Sequence, residues 1–173
     1  MDKKLRNILI IIVALLAIGS CIFMFIISPI QFGTGDRKMP KADSNTSEIL
    51  NGTIIEQKFI NRTKEIQEIA IVFHREYSLE ENTNIYVELL DGSNVLAQNV
   101  VNADDVQSEH RTYIKPTSPI SGYVGKELTL KIYTDSSAGT GLSVMCDSTD
   151  SSSSYTYAGN QITGTLCFSI TGK

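Results

Sequence analysis

The stretch whose residue types best suit chemistry runs from Asp147 to Tyr157. Asp147 and Asp150 lead into a serine run, and Tyr155 and Tyr157 follow it. An exposed aromatic ring takes the C–H face of a sugar, while carboxylates beside it accept protons from the sugar's hydroxyls. Tyr155, Tyr157, Asp147 and Asp150 are therefore the candidate ligand-binding residues. The competing reading puts both tyrosines on a strand edge, covering the rim of a core. The chain has no Trp, the ring best suited to sugar stacking, and that favours the competing reading.

Turn carboxylates also suit calcium, which takes oxygens from side chains and loop carbonyls. Asp135, Asp147 and Asp150 make one such set, and Asp104 with Asp105 another. Neither has the spacing of a helix–loop–helix calcium site, so solvated turn acids are expected, with structural calcium unsupported and no cofactor required. His74 and His110 are the only histidines, and neither has a His or Cys at the short spacing of a zinc site. The acid pairs Glu65/Glu68 and Glu80/Glu81 are expected on turns and lend no support to a glycosidase dyad, which needs a defined carboxyl separation. No nucleophile elbow, phosphate-binding glycine loop or paired-histidine helix occurs. The chain reads as a non-enzyme.

The elements that would position these residues show a period of two. Thr53 to Phe59 and Ile69 to Phe73 are β-rich, the second with Ile69, Ile71 and Phe73 opposite Ala70, Val72 and His74. Asn84 to Leu90 sets Ile85, Val87 and Leu89 against Tyr86, Glu88 and Leu90, and Asp91-Gly92-Ser93-Asn94 turns it into Val95 to Val101. Asn102 to Glu109 has room for one helical turn capped by Asn102, ahead of a short strand at Arg111 to Ile114. Glu127 to Thr134 alternates Leu128, Leu130 and Ile132 with Thr129, Lys131 and Tyr133. Leu142 to Asp147, Tyr155 to Tyr157 and a single strand over Thr163 to Ile170 complete the set. Short strands at regular spacing predict an all-β domain, a single antiparallel β-sandwich of jelly-roll type. An immunoglobulin-type sandwich is the runner-up, and it lacks its buried Trp and bracketing Cys pair.

The runs Ile55-Glu56-Gln57-Lys58-Phe59, Phe73-His74-Arg75 and Gly125-Lys126-Glu127-Leu128-Thr129-Leu130 carry a resemblance. Over about Leu50 to Ile170 the chain is similar to the jelly-roll, galactose-binding-like domains of bacterial membrane-anchored cell-envelope proteins. The resemblance implies an accessory role facing sugar. Its motifs are structural, and it assigns no functional residue.

Ahead of the domain, Ile8 to Ile30 is an unbroken run without a charge. At ~1.5 Å per residue it reaches about 35 Å, enough to cross a hydrocarbon core of ~30 Å. Lys3, Lys4 and Arg6 precede it and favour a cytoplasmic N-terminus. A cleaved signal is disfavoured by the length of the run. Ala17-Ile18-Gly19-Ser20-Cys21 resembles a lipobox, which would lipidate Cys21, but the sequence stays apolar through Ile27. The expected organisation is a cytoplasmic tail over 1–7, a transmembrane helix over 8–30, a flexible linker over 31–48 and an extracytoplasmic sandwich over 49–173.

From Asn45 onward there are nine Lys plus Arg and sixteen Asp plus Glu. That balance argues against nucleic acid as a partner. Cys146 shares a face with Leu142 and Val144, while Cys167 lies with Thr165 and Ser169 on the other, so two free thiols are expected rather than a disulfide. Sequons begin at Asn45, Asn51 and Asn61. Two roles suit such a chain at the cell membrane. One is a binding module for an envelope glycan or surface partner; the other is a non-catalytic assembly subunit of a larger membrane complex.

Overall fold

The computed structural model describes residues 35–78 and 82–172. The residues expected to form a cytoplasmic tail (1–7) and a transmembrane span (8–30, with Cys21), and the pair Glu80/Glu81, lie outside the described residues. Within them the chain is all-β. In order it forms β1 (Ser44–Asn45), β2 (Ile54–Ile60), β3 (Glu65–Arg75), β4 (Asn84–Asp91), β5 (Asn94–Asn102) and β6 (Arg111–Ile114). There follow β7 (Ile120–Ser121), β8 (Glu127–Tyr133), β9 (Leu142–Asp147), β10 (Ser154–Tyr157), β11 (Asn160–Thr163), β12 (Thr165–Leu166) and β13 (Phe168–Gly172). A 3₁₀ turn at Ala103–Asp105 is capped by the Asn102 side chain, which accepts from the Asp104 N–H.

Two antiparallel sheets share one core, a β-sandwich-like arrangement. The smaller sheet has six strands in the order β11-β10-β2-β8-β4-β5, and the larger has seven, with the path β1-β9-β3-β13 and β6, β7 and β12 attached. Alternation dictates what each sheet gives to the core. The smaller sheet contributes Ile55, Phe59, Ile85, Val87, Leu89, Leu128, Leu130 and Ile132, and the larger Ile66, Ile71, Phe73, Val144, Leu166 and Phe168. The β4–β5 hairpin closes at Gly92, whose φ of 60° supplies the left-handed residue a two-residue turn requires. The β10–β11 hairpin turns through Ala158 and Gly159, both at positive φ.

Three expectations need correction. The strand expected over Thr163–Ile170 is divided between the sheets. The chain leaves the smaller sheet at Gly164, whose φ of 132° suits glycine, and an added Cβ would stand 2.9 Å from the Asp147 carbonyl oxygen. It then pairs with β9 through Thr165 and Leu166, and with β3 from Phe168 onward. Between them, the Cys167 N–H donates to Met145 O while its carbonyl accepts from the Val72 N–H. Cys167 thus stands where β9 and β3 part.

The linker expected to reach Glu48 is, from Gly35 on, part of the domain. Arg37 bridges to Ile170, Ser44 and Asn45 pair with β9, and the Thr46 and Ile49 N–H groups donate to Val144 O and Leu142 O at 2.9 and 2.8 Å. The segment is polar, but a sheet edge binds backbone groups that every residue carries. Side-chain composition therefore did not disclose it.

The acid pair Glu65/Glu68 belongs to β3 rather than to a turn. Glu65 accepts from the Gln67 side chain, and Glu68 faces Lys115 at 3.7 Å.

Candidate functional site

The outer face of the smaller sheet is built by strand register. Ile54 pairs with Tyr133, Tyr133 with Tyr86, and Tyr86 with Val100, so one apolar and aromatic row crosses four strands. Three inter-strand steps of ~4.8 Å make this row about 14 Å long. The next row sets Thr156, Glu56, Lys131, Glu88 and Gln98 side by side. Beyond it come Lys58, Thr129, Leu90 and Val95. Eight large hydrophobic side chains are exposed among the described residues, and Ile54, Ile60, Val95 and Val100 on this face are four of them. An apolar patch rimmed by polar groups is the usual mark of a binding surface.

The polar groups of this face are held in place by one another. Tyr86 and Tyr133 stack at 5.1 Å between centroids, with 15° between their planes. The Tyr86 hydroxyl donates to Asp135 Oδ2 at 2.9 Å, and the Tyr133 hydroxyl donates to Glu88 Oε1 at 2.9 Å. Glu88 also takes Gln98 Nε2 at 3.0 Å and Lys131 Nζ at 3.1 Å, and Lys131 lies 4.7 Å from the Tyr133 ring centroid. The Tyr86 phenol is held above its ordinary pKa, first by its bond to Asp135. The Tyr133 phenol is raised by burial and then by Glu88. Both stay protonated at neutral pH and keep an oxygen lone pair for a ligand hydroxyl. Each ring turns one face to the other, so a ligand meets the remaining ring surface, the hydroxyls and the methyls of Ile54 and Val100.

The residues singled out in the sequence lie elsewhere. Tyr155 is buried, with its hydroxyl 3.8 Å from Cys146 Sγ, and burial pushes its pKa up to about 12. Tyr157 packs against the core and donates to Glu48 O at 2.6 Å. Both rings cover the core rim. Asp147 accepts from the Thr149 N–H and hydroxyl, and Asp150 from those of Ser152, so each closes its own turn. These bonds, with the Ser152 hydroxyl first, hold the Asp150 carboxyl below the usual range.

Asp135 is engaged by Tyr86, and Asp104 stands 3.9 Å from Arg75. Among the described residues no three His, Cys, Asp or Glu side chains gather as a metal site. His74 faces Glu109 at 3.4 Å, and His110 bonds the Ser108 carbonyl. Cys146 and Cys167 are both free and both buried. Cys167 does sit on the face opposite the core, but Pro40 O lies 3.8 Å from its Sγ, and burial drives the thiol pKa up to about 12. Of the sequon residues, Asn61 is buried, with its side-chain amide donating to Thr63 O and Tyr123 O. That amide is not accessible for glycosylation in the folded domain.

No protein-family model matches this chain, and no curated protein sequence does. Alternation by itself puts Tyr86 and Glu88 on one face of their strand, and Lys131 and Tyr133 on one face of theirs. What it lacked was the register that makes them neighbours.

Proposed function

We propose that the chain is a membrane-anchored binding module, a jelly-roll domain held outside the cell membrane by residues 8–30 and recognising an envelope glycan without catalysis. The observation that supports this most is the exposed row Ile54–Tyr133–Tyr86–Val100 beside the row Glu56–Lys131–Glu88–Gln98. A sugar chain has alternating C–H faces and hydroxyls. Such a surface offers it apolar contact and fixed acceptors and donors together. The test is glycan-array binding by the full-length chain in detergent, compared with a Tyr86→Ala/Tyr133→Ala variant. Binding of an envelope polysaccharide that the double variant loses is the expected result; silence across such polysaccharides overturns the sugar assignment.

One observation favours the assembly reading instead. β5 ends its sheet, and Asn94–Asn102 contains no charge and no proline, with Val95 and Val100 47% and 55% exposed. Open edges of this kind invite a further strand, and most proteins blunt them with Lys or Pro. Replacing Val95 by Lys would place on that edge the kind of charge that blocks such pairing. Loss of co-purifying membrane partners in that variant, with glycan binding unchanged, would favour the assembly role.

A further inference from the structure

β10 pairs with β2 only at Ile55 and Glu56, so the edge of β2 beyond Glu56 is left open on that side. A cleft of about 610 Å³ lies there, between residues 35–38, β2 with the two residues after it, and Ser152–Ser153. Four of its lining residues are cations: Arg37, Lys38, Lys58 and Arg62. From Gly35 onward the chain carries twelve Lys plus Arg and eighteen Asp plus Glu, so this clustering runs against the overall sign. Among the described residues, Arg37, Lys38 and Arg62 have no carboxylate within ion-pair distance, although the Asp150 charge reaches Arg37 from farther off; Lys58 is paired with Glu127 at 3.2 Å. The one acid in the lining, Asp36, accepts from the Gly172 N–H.

Arg37 is fixed rather than free to follow solvent. Its Nη2 donates to Thr165 Oγ1 at 3.0 Å, and its guanidinium lies 4.1 Å from the Phe168 centroid and 5.8 Å from that of Phe59. Thr165 Oγ1 in turn takes Gln57 Nε2 at 2.7 Å, while Gln57 Oε1 accepts from the Leu166 N–H at 2.7 Å. The Nε of Arg37 is buried and has no partner. An oriented guanidinium flanked by two unpaired cations is the arrangement that recognises carboxylate or phosphate.

We propose that this cleft is an anion subsite, taking a carboxylate or phosphate substituent of an acidic glycan. The choice of a glycan over a lipid headgroup rests on the sugar-binding reading above: Lys58 and Ile60 belong both to the cleft and to the outer face of the smaller sheet, so a chain lying on that face runs into it. Neutral sugar contacts would come from the tyrosine row and charge recognition from Arg37, Lys38 and Arg62.

The test uses the full-length chain in detergent micelles, titrated with a hexamer of uronic acid and with its neutral methyl ester. The acid is expected to bind about tenfold tighter at low ionic strength, and less so at ~0.15 M salt, where exposed charges are screened. Lys38→Ala/Arg62→Ala, two exposed positions, should bring the acid down to the ester. Tyr86→Ala/Tyr133→Ala should weaken both forms equally. Equal affinity for acid and ester, or a preference that survives Lys38→Ala/Arg62→Ala, overturns the subsite. Acid binding that needs Lys38 and Arg62 but survives loss of the tyrosines sustains the cleft and removes the sheet-face reading. Binding to phosphatidylglycerol-containing vesicles through Lys38 and Arg62, with neither hexamer bound, overturns the glycan assignment in favour of a lipid.

Discussion

The outer faces of the two sheets are treated in opposite ways. Around β9, β12 and β13 the larger sheet turns small side chains outward, and Ala70, Ser143, Cys167 and Ser169 are all buried, whereas towards β6 the same face carries the exposed Tyr113. Residues of the segment 35–46 lie against this region: Pro40 beside Cys167, Asn45 bonded to Ser143. The smaller sheet turns Tyr86, Tyr133, Lys131 and Ile54 outward, and nothing among the described residues covers Ile54, which stays 41% exposed. Side-chain size and cover go together. A chain segment can lie against a face of Ala, Ser and Cys, whereas Tyr and Lys hold it off and form a surface themselves. Alternation says only that a strand has two faces; it does not say which second face is free.

Beginning the chain at Asn45 should break the contrast most. It removes Arg37, Pro40 and Ser44, and Cys167 should pass from protected to labelled by a thiol reagent under native conditions. Continued protection would show that the segment is not the cover. Within the covered region, Phe168→Ala deletes a fully buried ring in edge contact with Phe59 at 5.2 Å. It should cost about 3–5 kcal/mol in urea unfolding. Gln57→Ala leaves the Leu166 N–H without a partner and the Thr165 hydroxyl with Arg37 alone, a loss of about 1–3 kcal/mol; a change near zero would mean that water takes over the Leu166 bond.

Alkaline pH tests the same region. The Cys167 thiol has a folded pKa of about 12, raised by burial from the ordinary 9.0. Its contribution is complete below the unfolded value and is lost as pH rises from about 9 towards 12. Stability should fall across that window, and Cys167→Ala should make the decline shallower; an identical slope would refute the assignment. The smallest stability effect belongs to the open face. Tyr86→Ala removes one stacked pair, worth about 0.5–1.5 kcal/mol beyond its buried area, yet it should reduce glycan binding more than any core substitution that leaves the domain folded.

Much of the fold was legible. The strands over Ile54–Ile60, Asn84–Asp91, Glu127–Tyr133 and Leu142–Asp147 declare themselves by alternation, because a half-buried strand must place apolar groups at every second position. The helical turn after Asn102 and the hairpin turn at Gly92 follow from local chemistry. The candidate site was barely legible. Tyr155 and Tyr157 drew notice because aromatics beside acids were adjacent in sequence, whereas Tyr86 and Tyr133 come together across 47 residues. Gln57 occupies an inward position that alternation would reserve for an apolar residue. It belongs there only because Thr165 and Leu166 meet it from the other sheet.

Local pattern in the sequence therefore determined which residues form strands, which side of each strand is apolar, and that the domain over the described residues builds sheets. Those properties depend on neighbours one to four residues away. Register, the switch of the last strand from one sheet to the other, the docking of residues 35–48, the row of Tyr86 and Tyr133 and the cationic cleft were decided by the tertiary structure. Each depends on backbone pairing between distant segments, and backbone groups are the same at every residue.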